Sequence, residues 1–209
     1  MKSRTFAFAR LFAPLFPVVA GLMLAGAAPA GDPGGAFRAS LAEAPLAPGV
    51  KPKAYDVTIV LYFDYQCAYC KKQHLSLMDL LQRDPRVRVV YRDWPVFGAL
   101  SQRAARLAIA SQFQGRHAAF HDALMRTQGK LDETALKAAA RTARVDWERL
   151  QADLAANRGK IDALMRQTES QAAQLQLEGT PGMVIGSYIV PGAMNITGLM
   201  DVVKRVRAG

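Results

Sequence analysis

The feature that most limits how this chain can fold is an apolar segment that leads directly into a closely spaced cysteine pair. Residues 57–63 read Val-Thr-Ile-Val-Leu-Tyr-Phe, an unbroken run of apolar, β-branched and aromatic residues. Such a run predicts a strand that is buried on both faces. A three-residue turn separates it from Cys67, and a helical pattern then continues to about Arg83. Cys67 and Cys70 are therefore expected at a strand-to-helix junction.

The rest of the pattern predicts a single α/β domain. A second strand at 87–94 completes a strand–helix–strand unit, which we expect to be parallel and right-handed. Residues 99–176 are rich in Ala, Leu, Arg and Gln at helical spacing and form a helical insertion. A β-hairpin at 182–190 and a helix near 197–207 follow it. Within the insertion we predict helices near 99–114, 116–127, 132–143, 146–156 and 158–176.

The start of the chain has the layout of a secretory signal peptide. Three basic residues and no acid precede a long apolar run, which ends in the small-residue site Ala-Pro-Ala at 28–30. We predict a signal peptide over 1–30 and an exported, periplasmic product. An uncleaved membrane anchor is the alternative. Residues 31–54, rich in Gly, Pro and Ala, are interpreted as a flexible N-terminal segment before a domain at 55–209.

The charge of the chain is strongly positive, with 27 Lys and Arg against 17 Asp and Glu and a formal net charge of +10. Such a balance suits nucleic acid or an anionic membrane surface. The basic residues are nevertheless scattered between acids along the helical segments, and no basic run is interleaved with aromatic residues. We interpret them as a solvated surface and expect no nucleic-acid partner.

The cysteine pair is better suited to redox chemistry than to a structural role. A cysteine in the first turn of a helix lies beside unpaired backbone N–H groups, which favour the thiolate that attacks disulfides. Cys67 has this position, and Cys70 is close enough to resolve a mixed disulfide with it. A disulfide between the two closes too small a loop to add much stability. The pair therefore predicts thiol–disulfide chemistry.

A metal site is the alternative from another functional class. Zinc usually takes four ligands, and this chain has no second cysteine pair. His117 and His121 stand four apart on a predicted helix and could join the cysteines in a non-catalytic metal-binding or metal-delivery module. We favour two ordinary helix residues, and we expect neither a metal nor an organic cofactor. Lys71 after the second cysteine excludes a haem-attachment motif.

Four stretches of the sequence resemble the DsbA-like thiol:disulfide interchange proteins of the thioredoxin superfamily, and they occur in that family's order. They are FDYQCAYCK at 63–71, RDWPVFG at 92–98, FHDAL at 120–124 and GTPGMVIG at 179–186. Together they place about residues 55–207 within the resemblance. It implies a thioredoxin-like fold, with the helical insertion between the βαβ unit and the C-terminal β-hairpin and helix, and an enzyme that exchanges thiols and disulfides.

The resemblance also implies the roles of the motif residues. Cys67 attacks and becomes linked to the substrate, Cys70 resolves, and the intervening Ala68 and Tyr69 tune the redox potential. The implied substrates are cysteine-containing, unfolded or partly folded exported proteins. A membrane redox partner would restore the disulfide. Residues 31–54 are too few for the dimerisation domain of the disulfide isomerases, so we expect a monomeric oxidase and keep an isomerase or reductase as the alternative.

A distant Thr-Pro pair completes the implied site. Pro181 would be cis and pack against the cysteines, which exposes the Thr180 backbone for pairing with a substrate peptide as a strand would. Some relatives have an acid in the strand beneath the cysteines, which relays protons, and this chain has none there. Asp64 is the nearest carboxylate, and we expect it to shape the turn. His74, one helical turn after Cys70, is interpreted as an ordinary helix residue.

Overall fold

The computed structural model describes residues 33–209, so the predicted signal peptide lies outside the described residues. The helices are α1 (Pro33–Leu41), α2 (Ala68–Arg83), α3 (Ala99–Ala110), α4 (His117–Met125), α5 (Glu133–Thr142), α6 (Trp147–Gln174) and α7 (Ile196–Ala208). The strands are β1 (Gly49–Val50), β2 (Val57–Phe63), β3 (Val87–Asp93), β4 (Gly182–Ile185) and β5 (Tyr188–Pro191). None of the helices in this part of the chain is long and apolar enough to cross a membrane.

The strands form one five-stranded sheet in the order β1-β3-β2-β4-β5. The β2 and β3 strands are parallel, in a register that pairs Val57 with Val87 and Phe63 with Asp93. The other three pairings are antiparallel. This topology confirms the predicted α/β, thioredoxin-like fold, with a parallel βαβ unit, a helical insertion and a C-terminal hairpin and helix.

The central strand β2 is covered on both faces, as its unbroken apolar run predicts. Ile59 and Leu61 belong to the larger apolar cluster, which also contains residues of α2, α3 and α4. Val60 and Tyr62 belong to a second cluster on the other face, together with Leu41 of α1 and residues at the end of α6. The strand is therefore a rigid support, and its carboxyl end delivers the chain to the cysteine pair.

The N-terminal segment 31–54, whose composition predicts flexibility, is packed against the sheet over the residues that the structure describes. Leu41, at the end of α1, is fully buried in the second apolar cluster. Its carbonyl oxygen accepts hydrogen bonds from Nε and Nη2 of Arg92, which is itself fully buried. Farther along, β1 pairs with β3, opposite Val89 and Val90. These contacts are made with residues about 40 to 50 positions away, so no local sequence pattern predicts them.

The insertion helices lie close to their predicted positions, with one exception. We expected separate helices at 146–156 and 158–176, whereas α6 is continuous over 28 residues. Gly159 lies two residues after the expected break at Asn157, but a glycine costs a helix only about 1 kcal/mol relative to alanine. The buried residues along α6, which include Leu150, Leu154, Ile161 and Leu164, keep it packed on both sides of that point. Tertiary packing therefore overrides the local signal.

Candidate active site

The turn between β2 and α2 is shaped by one buried carboxylate. Asp64 is 1% exposed, and its Oδ1 accepts hydrogen bonds from the backbone N–H of Gln66 and the hydroxyl of Ser101, both at 2.7 Å. Its Oδ2 accepts the backbone N–H of Phe97 at 3.0 Å. Both oxygens are thus engaged with the turn and with the loop after β3. This matches the expectation that Asp64 shapes the turn.

A second tie between the turn and this loop was not foreseen from the sequence. The side-chain amide of Gln66 donates to the carbonyl oxygen of Phe97 at 3.0 Å and to the hydroxyl of Ser101 at 2.8 Å. The loop is therefore held beside the cysteine pair, with the Phe97 side chain 55% exposed. The only local sign of this hydrogen bonding in the sequence is that the residue directly before Cys67 is polar and lies in a turn next to an apolar loop.

Cys67 is the N-cap residue of α2, and its sulfur is surrounded by hydrogen-bonding groups. Its Sγ accepts the backbone N–H of Cys70 at 3.4 Å and lies 3.2 Å from the carbonyl oxygen of Thr180, to which the thiol donates. Hydrogen bonding with the Cys70 side chain, with Thr180 and with the backbone N–H groups of Cys70 and Tyr69 lowers the pKa of Cys67 to about 5, against the opposing effect of burial. Cys67 is therefore a thiolate at neutral pH.

Cys70 has the opposite character. It is 2% exposed, and burial, reinforced by the neighbouring Cys67, raises its pKa far above the usual value for a thiol. Both cysteines are reduced in this structure. The two environments divide the chemistry as the sequence suggests, because the ionised, helix-capping sulfur is the better nucleophile and the neutral, buried one can act only after a proton is removed.

The distant Thr-Pro pair meets the cysteines although 113 positions separate Thr180 from Cys67. The peptide bond between Thr180 and Pro181 is cis, as the resemblance implies. Pro181 is buried, and its carbonyl oxygen accepts the backbone N–H of Gly192 at 2.8 Å. The Thr180 hydroxyl is buried and has no hydrogen-bond partner among the described residues, although Thr180 is one of the groups that lower the pKa of Cys67.

The residues between the two cysteines face outward. Ala68 is exposed, and Tyr69 is 63% exposed with the Lys72 Nζ 5.5 Å from its ring centroid. The structure thus brings together Cys67, Cys70, Thr180 and Pro181, while Ala68 and Tyr69 form the outer rim of the same site.

The three histidines of the chain lie together, on the buried faces of α2 and α4. His74 of α2 and His117 and His121 of α4 are 1%, 7% and 2% exposed. The His121 ring centroid lies 5.1 Å from that of His74 and 5.6 Å from that of His117. Within residues 33–209 no group of three or more His, Cys, Asp or Glu side chains is arranged to hold a metal ion. The sequence-based interpretation of ordinary helix residues therefore missed a buried histidine cluster.

A comparison with protein families identifies the domain. The model of the DSBA-like thioredoxin domain matches residues 58–204, which include the cysteine pair, the insertion and the Thr-Pro loop. The chain belongs to this family. Its fold, and the position of its cysteine pair at the start of α2, agree with that assignment.

Solved structures of similar proteins share nearly the whole domain. A thioredoxin-like oxidoreductase from Silicibacter pomeroyi is 40% identical, with a TM-score of 0.78 over 82% of this chain and 98% of that one. A periplasmic thioredoxin-like protein from Salmonella enterica serovar Typhimurium is 27% identical, with a TM-score of 0.73 over 83% of this chain and 97% of that one. The chain thus covers nearly the whole length of both solved structures.

A curated relative places a similar domain in a larger protein. The Na(+)/H(+) antiporter NhaA 1 of Salinispora arenicola is 29% identical over 160 residues, which cover 76% of this chain and 24% of the antiporter. The chain therefore spans about a quarter of the length of that relative.

Proposed function

We propose that this protein is an exported oxidase that introduces disulfides into other exported proteins. A substrate thiolate attacks Cys67 of the Cys67–Cys70 disulfide, and the electron pair of that bond leaves on Cys70. The result is a mixed disulfide between the substrate and Cys67. A second substrate thiolate then attacks the substrate sulfur of this bond and releases Cys67 as a thiolate, so the substrate gains a disulfide and both cysteines of the enzyme are reduced.

The observation that carries this proposal is the lowered pKa of Cys67, about 5. A sulfur that is stable as a thiolate is a good leaving group, which speeds the second step. The same hydrogen bonds stabilise the reduced protein more than its disulfide form, because they are stronger to the negative charge of a thiolate than to a neutral disulfide sulfur. A disulfide whose reduced form is stabilised is a strong oxidant.

The surface around Cys67 suits an extended, partly apolar substrate segment. Tyr69, Val96 and Phe97 are 63%, 43% and 55% exposed at the rim of the site. Large apolar side chains that are exposed together are typical of protein interaction sites. The carbonyl oxygen of Thr180 lies 3.2 Å from the Cys67 Sγ, and its backbone would pair with the substrate as an added strand does.

Export is part of the same proposal. Disulfides persist in oxidising compartments such as the periplasm, and the apolar N-terminal run with its small-residue site has the form of a secretory signal. A similar protein from Salmonella enterica is described as periplasmic. We propose that the mature protein acts there as a monomer, and that a membrane redox partner restores its disulfide.

The second candidate is a disulfide isomerase or reductase, which Tyr69 and Thr180 favour by resemblance. Equilibration of the Cys67–Cys70 pair with glutathione separates the candidates. An oxidase should have a reduction potential near about −120 mV, whereas a value near about −200 mV or lower would replace the oxidase with an isomerase or reductase.

The covalent step has a direct test with matched variants. Cys70→Ser should accumulate a disulfide-linked complex with a reduced, cysteine-containing peptide under oxidising conditions, because the resolving thiol is gone. Cys67→Ser should accumulate none. Mass spectrometry of the non-reduced samples distinguishes the two. If Cys70→Ser also forms no complex, exchange through Cys67 is ruled out and the metal-binding alternative has to be reconsidered.

A further inference from the structure

The buried position of Cys70 creates a proton-transfer requirement. If the proposed function holds, Cys70 gains a proton each time its sulfur leaves the disulfide and loses one each time the disulfide re-forms. Its sulfur is shielded from solvent, since the residue is 2% exposed. The β2 strand beneath it contains no acid. Asp64 is nearby, but its two oxygens already accept three hydrogen bonds that hold the turn.

His74 is placed to meet this requirement. It lies four residues after Cys70 on the buried face of α2, and residues four apart on a helix are neighbours. Side chains of a helix lean toward its N-terminus, so the spacing directs the His74 ring toward the turn that contains Cys70. The Nε2 atom of His74 is 2.8 Å from Oδ1 of Asp122, whose side chain is 40% exposed. His74 therefore connects the interior with the surface.

The other ring nitrogen of His74 has no hydrogen-bond partner within residues 33–209. Its Nδ1 is buried and makes no hydrogen bond among the described residues. Buried polar atoms in folded proteins are nearly always hydrogen-bonded, so an unpaired one in the interior needs an explanation. A histidine that only joined α2 to α4 would need Nε2 alone. The free nitrogen has the lone pair that a proton acceptor requires when Nε2 donates to Asp122.

We propose that His74 transfers the proton of Cys70 between the buried thiol and Asp122 at the surface. When a Cys67 mixed disulfide is resolved, Nδ1 takes the thiol proton of Cys70 while the proton on Nε2 passes to Asp122 and then to water. The sulfur of Cys70 forms its bond to Cys67, and the bond from Cys67 to the substrate breaks. Its electron pair leaves on the substrate sulfur, which takes a proton from solvent. When a substrate thiolate attacks the disulfide and Cys70 leaves, the proton moves in the opposite direction, from Asp122 through His74 to Cys70.

Other ionisable groups lie on the elements around His74, and none among the described residues offers an equivalent path. Asp122, Arg126 and His121 on α4 interact with His74 directly. His117 on α4, Tyr65 in the turn and Tyr91 on β3 contact His121. Asp64 and Asp93 interact with Tyr65, and Lys71 on α2 binds the Thr127 carbonyl oxygen. Asp93 is buried, its pKa is raised by burial, and neither of its oxygens has a partner among the described residues. His121 is 2% exposed, and its Nδ1 lies 3.0 Å from the Tyr65 hydroxyl, which is also buried. Within residues 33–209, only His74 joins the helix of Cys70 to a partly exposed carboxylate.

The electrostatics of His74 suit a neutral carrier. Burial lowers its pKa, and the hydrogen bond with Asp122 partly opposes that effect. The imidazole is therefore neutral at pH 7, with one nitrogen that accepts a proton and one that donates. A neutral imidazole can take a proton on one side and release one on the other, so no net charge has to stay buried.

Rapid-quench kinetics on the reduced full-length protein test the inference. The protein is mixed with a disulfide-linked peptide, quenched in acid at successive times, and analysed by mass spectrometry. The appearance of the Cys67-linked peptide reports the first step, and its disappearance reports resolution by Cys70. His74→Gln keeps an amide that can bind Asp122 but cannot relay a proton. His117→Gln is the control, since it lies in the same cluster and lacks the link to Asp122.

We expect His74→Gln to slow resolution about 100-fold and to leave the first step unchanged, in line with the usual contribution of a general acid or base. Its resolution rate should then rise about tenfold per pH unit, because an unassisted thiol reacts only as its thiolate. The wild-type rate should depend less on pH. His117→Gln should behave as the wild type does. The inference is overturned if His74→Gln resolves the mixed disulfide at the wild-type rate, or if both variants resolve it equally slowly.

Failure of the inference is distinguishable from failure of the proposed function. If the wild type forms no Cys67-linked peptide, exchange through Cys67 is wrong. If the peptide forms and His74→Gln resolves it normally, only the role of His74 is wrong. Should His74→Gln fold poorly by circular dichroism, resolution by the wild type in heavy water decides the matter. A slower rate in heavy water supports proton transfer in that step, and an equal rate overturns it.

Discussion

At the scale of residues, the site depends on a contrast between two sulfurs three positions apart. Cys67 caps a helix and lies beside Thr180, whereas Cys70 is enclosed by the apolar core. Helix position predicted the thiolate character of Cys67, spacing predicted that Cys70 can reach it, and the resemblance supplied Thr180 and Pro181. The sequence could not predict the hydrogen bonds from Gln66 to Phe97 and Ser101, or the histidine cluster. Both depend on how α2, α4 and the loop after β3 meet, which no local pattern specifies.

Thr180→Val tests how the loop controls the nucleophile. The change removes the hydroxyl but keeps the shape and the backbone carbonyl of residue 180. We expect the pKa of Cys67 to rise by about one, which corresponds to about 1.4 kcal/mol, because the Thr180 side chain is one of the groups that lower it. Titration of the thiolate by its ultraviolet absorbance measures the value. An unchanged pKa would mean that the hydroxyl does not stabilise the thiolate.

At the scale of elements, the strands around the active site were predictable and the edges of the domain were not. The β2 bounds match the prediction, and β3 ends one residue earlier than expected. The dense apolar and β-branched composition of both segments predicts strands. The α1 helix and β1 do not, because Gly, Pro and Ala prevail there and long-range contacts hold them. The continuity of α6 likewise reflects packing along its length rather than local propensity.

Gly159 gives a quantitative test of that view of α6. An alanine Cβ at this exposed helical position would have no other atom within 4 Å. Gly159→Ala should therefore raise the free energy of unfolding by about 1 kcal/mol. Gly49→Ala is the opposite case, since its Cβ would clash with the carbonyl oxygen of Val89, and it should destabilise the protein. Urea denaturation of both variants measures the effects, and a destabilised Gly159→Ala would contradict a continuous α6.

At the scale of the whole molecule, the state of the cysteine pair is linked to the stability of the fold. The folded pKa of Cys67, about 5, lies below the ordinary value of 9.0. A depressed folded pKa adds stability that is complete above the unfolded value and disappears as the pH falls through the folded one. The reduced protein should thus gain stability from pH 4 to pH 8. The oxidised protein has no free thiol and should not share this gain.

Paired urea denaturation of the reduced and oxidised proteins measures this effect. The oxidised form is the control for every other titrating group, including the buried histidines and Asp93, because these are present in both forms. The advantage of the reduced form over the oxidised form should grow as the pH rises between about 5 and 8. A difference that is independent of pH over this range would show that Cys67 titrates normally in the folded protein.

The separation of Cys67 and Thr180 by 113 positions also sets an order of events during synthesis. The cysteine pair is made first, and the loop that completes the site follows 113 positions later. Contacts between such distant positions form slowly, because a long stretch of chain has to be closed first. A newly made chain therefore has the local hydrogen bonds of α2 that lower the pKa of Cys67 before it has the contribution of Thr180. The nucleophile reaches its full reactivity only when these distant segments have met.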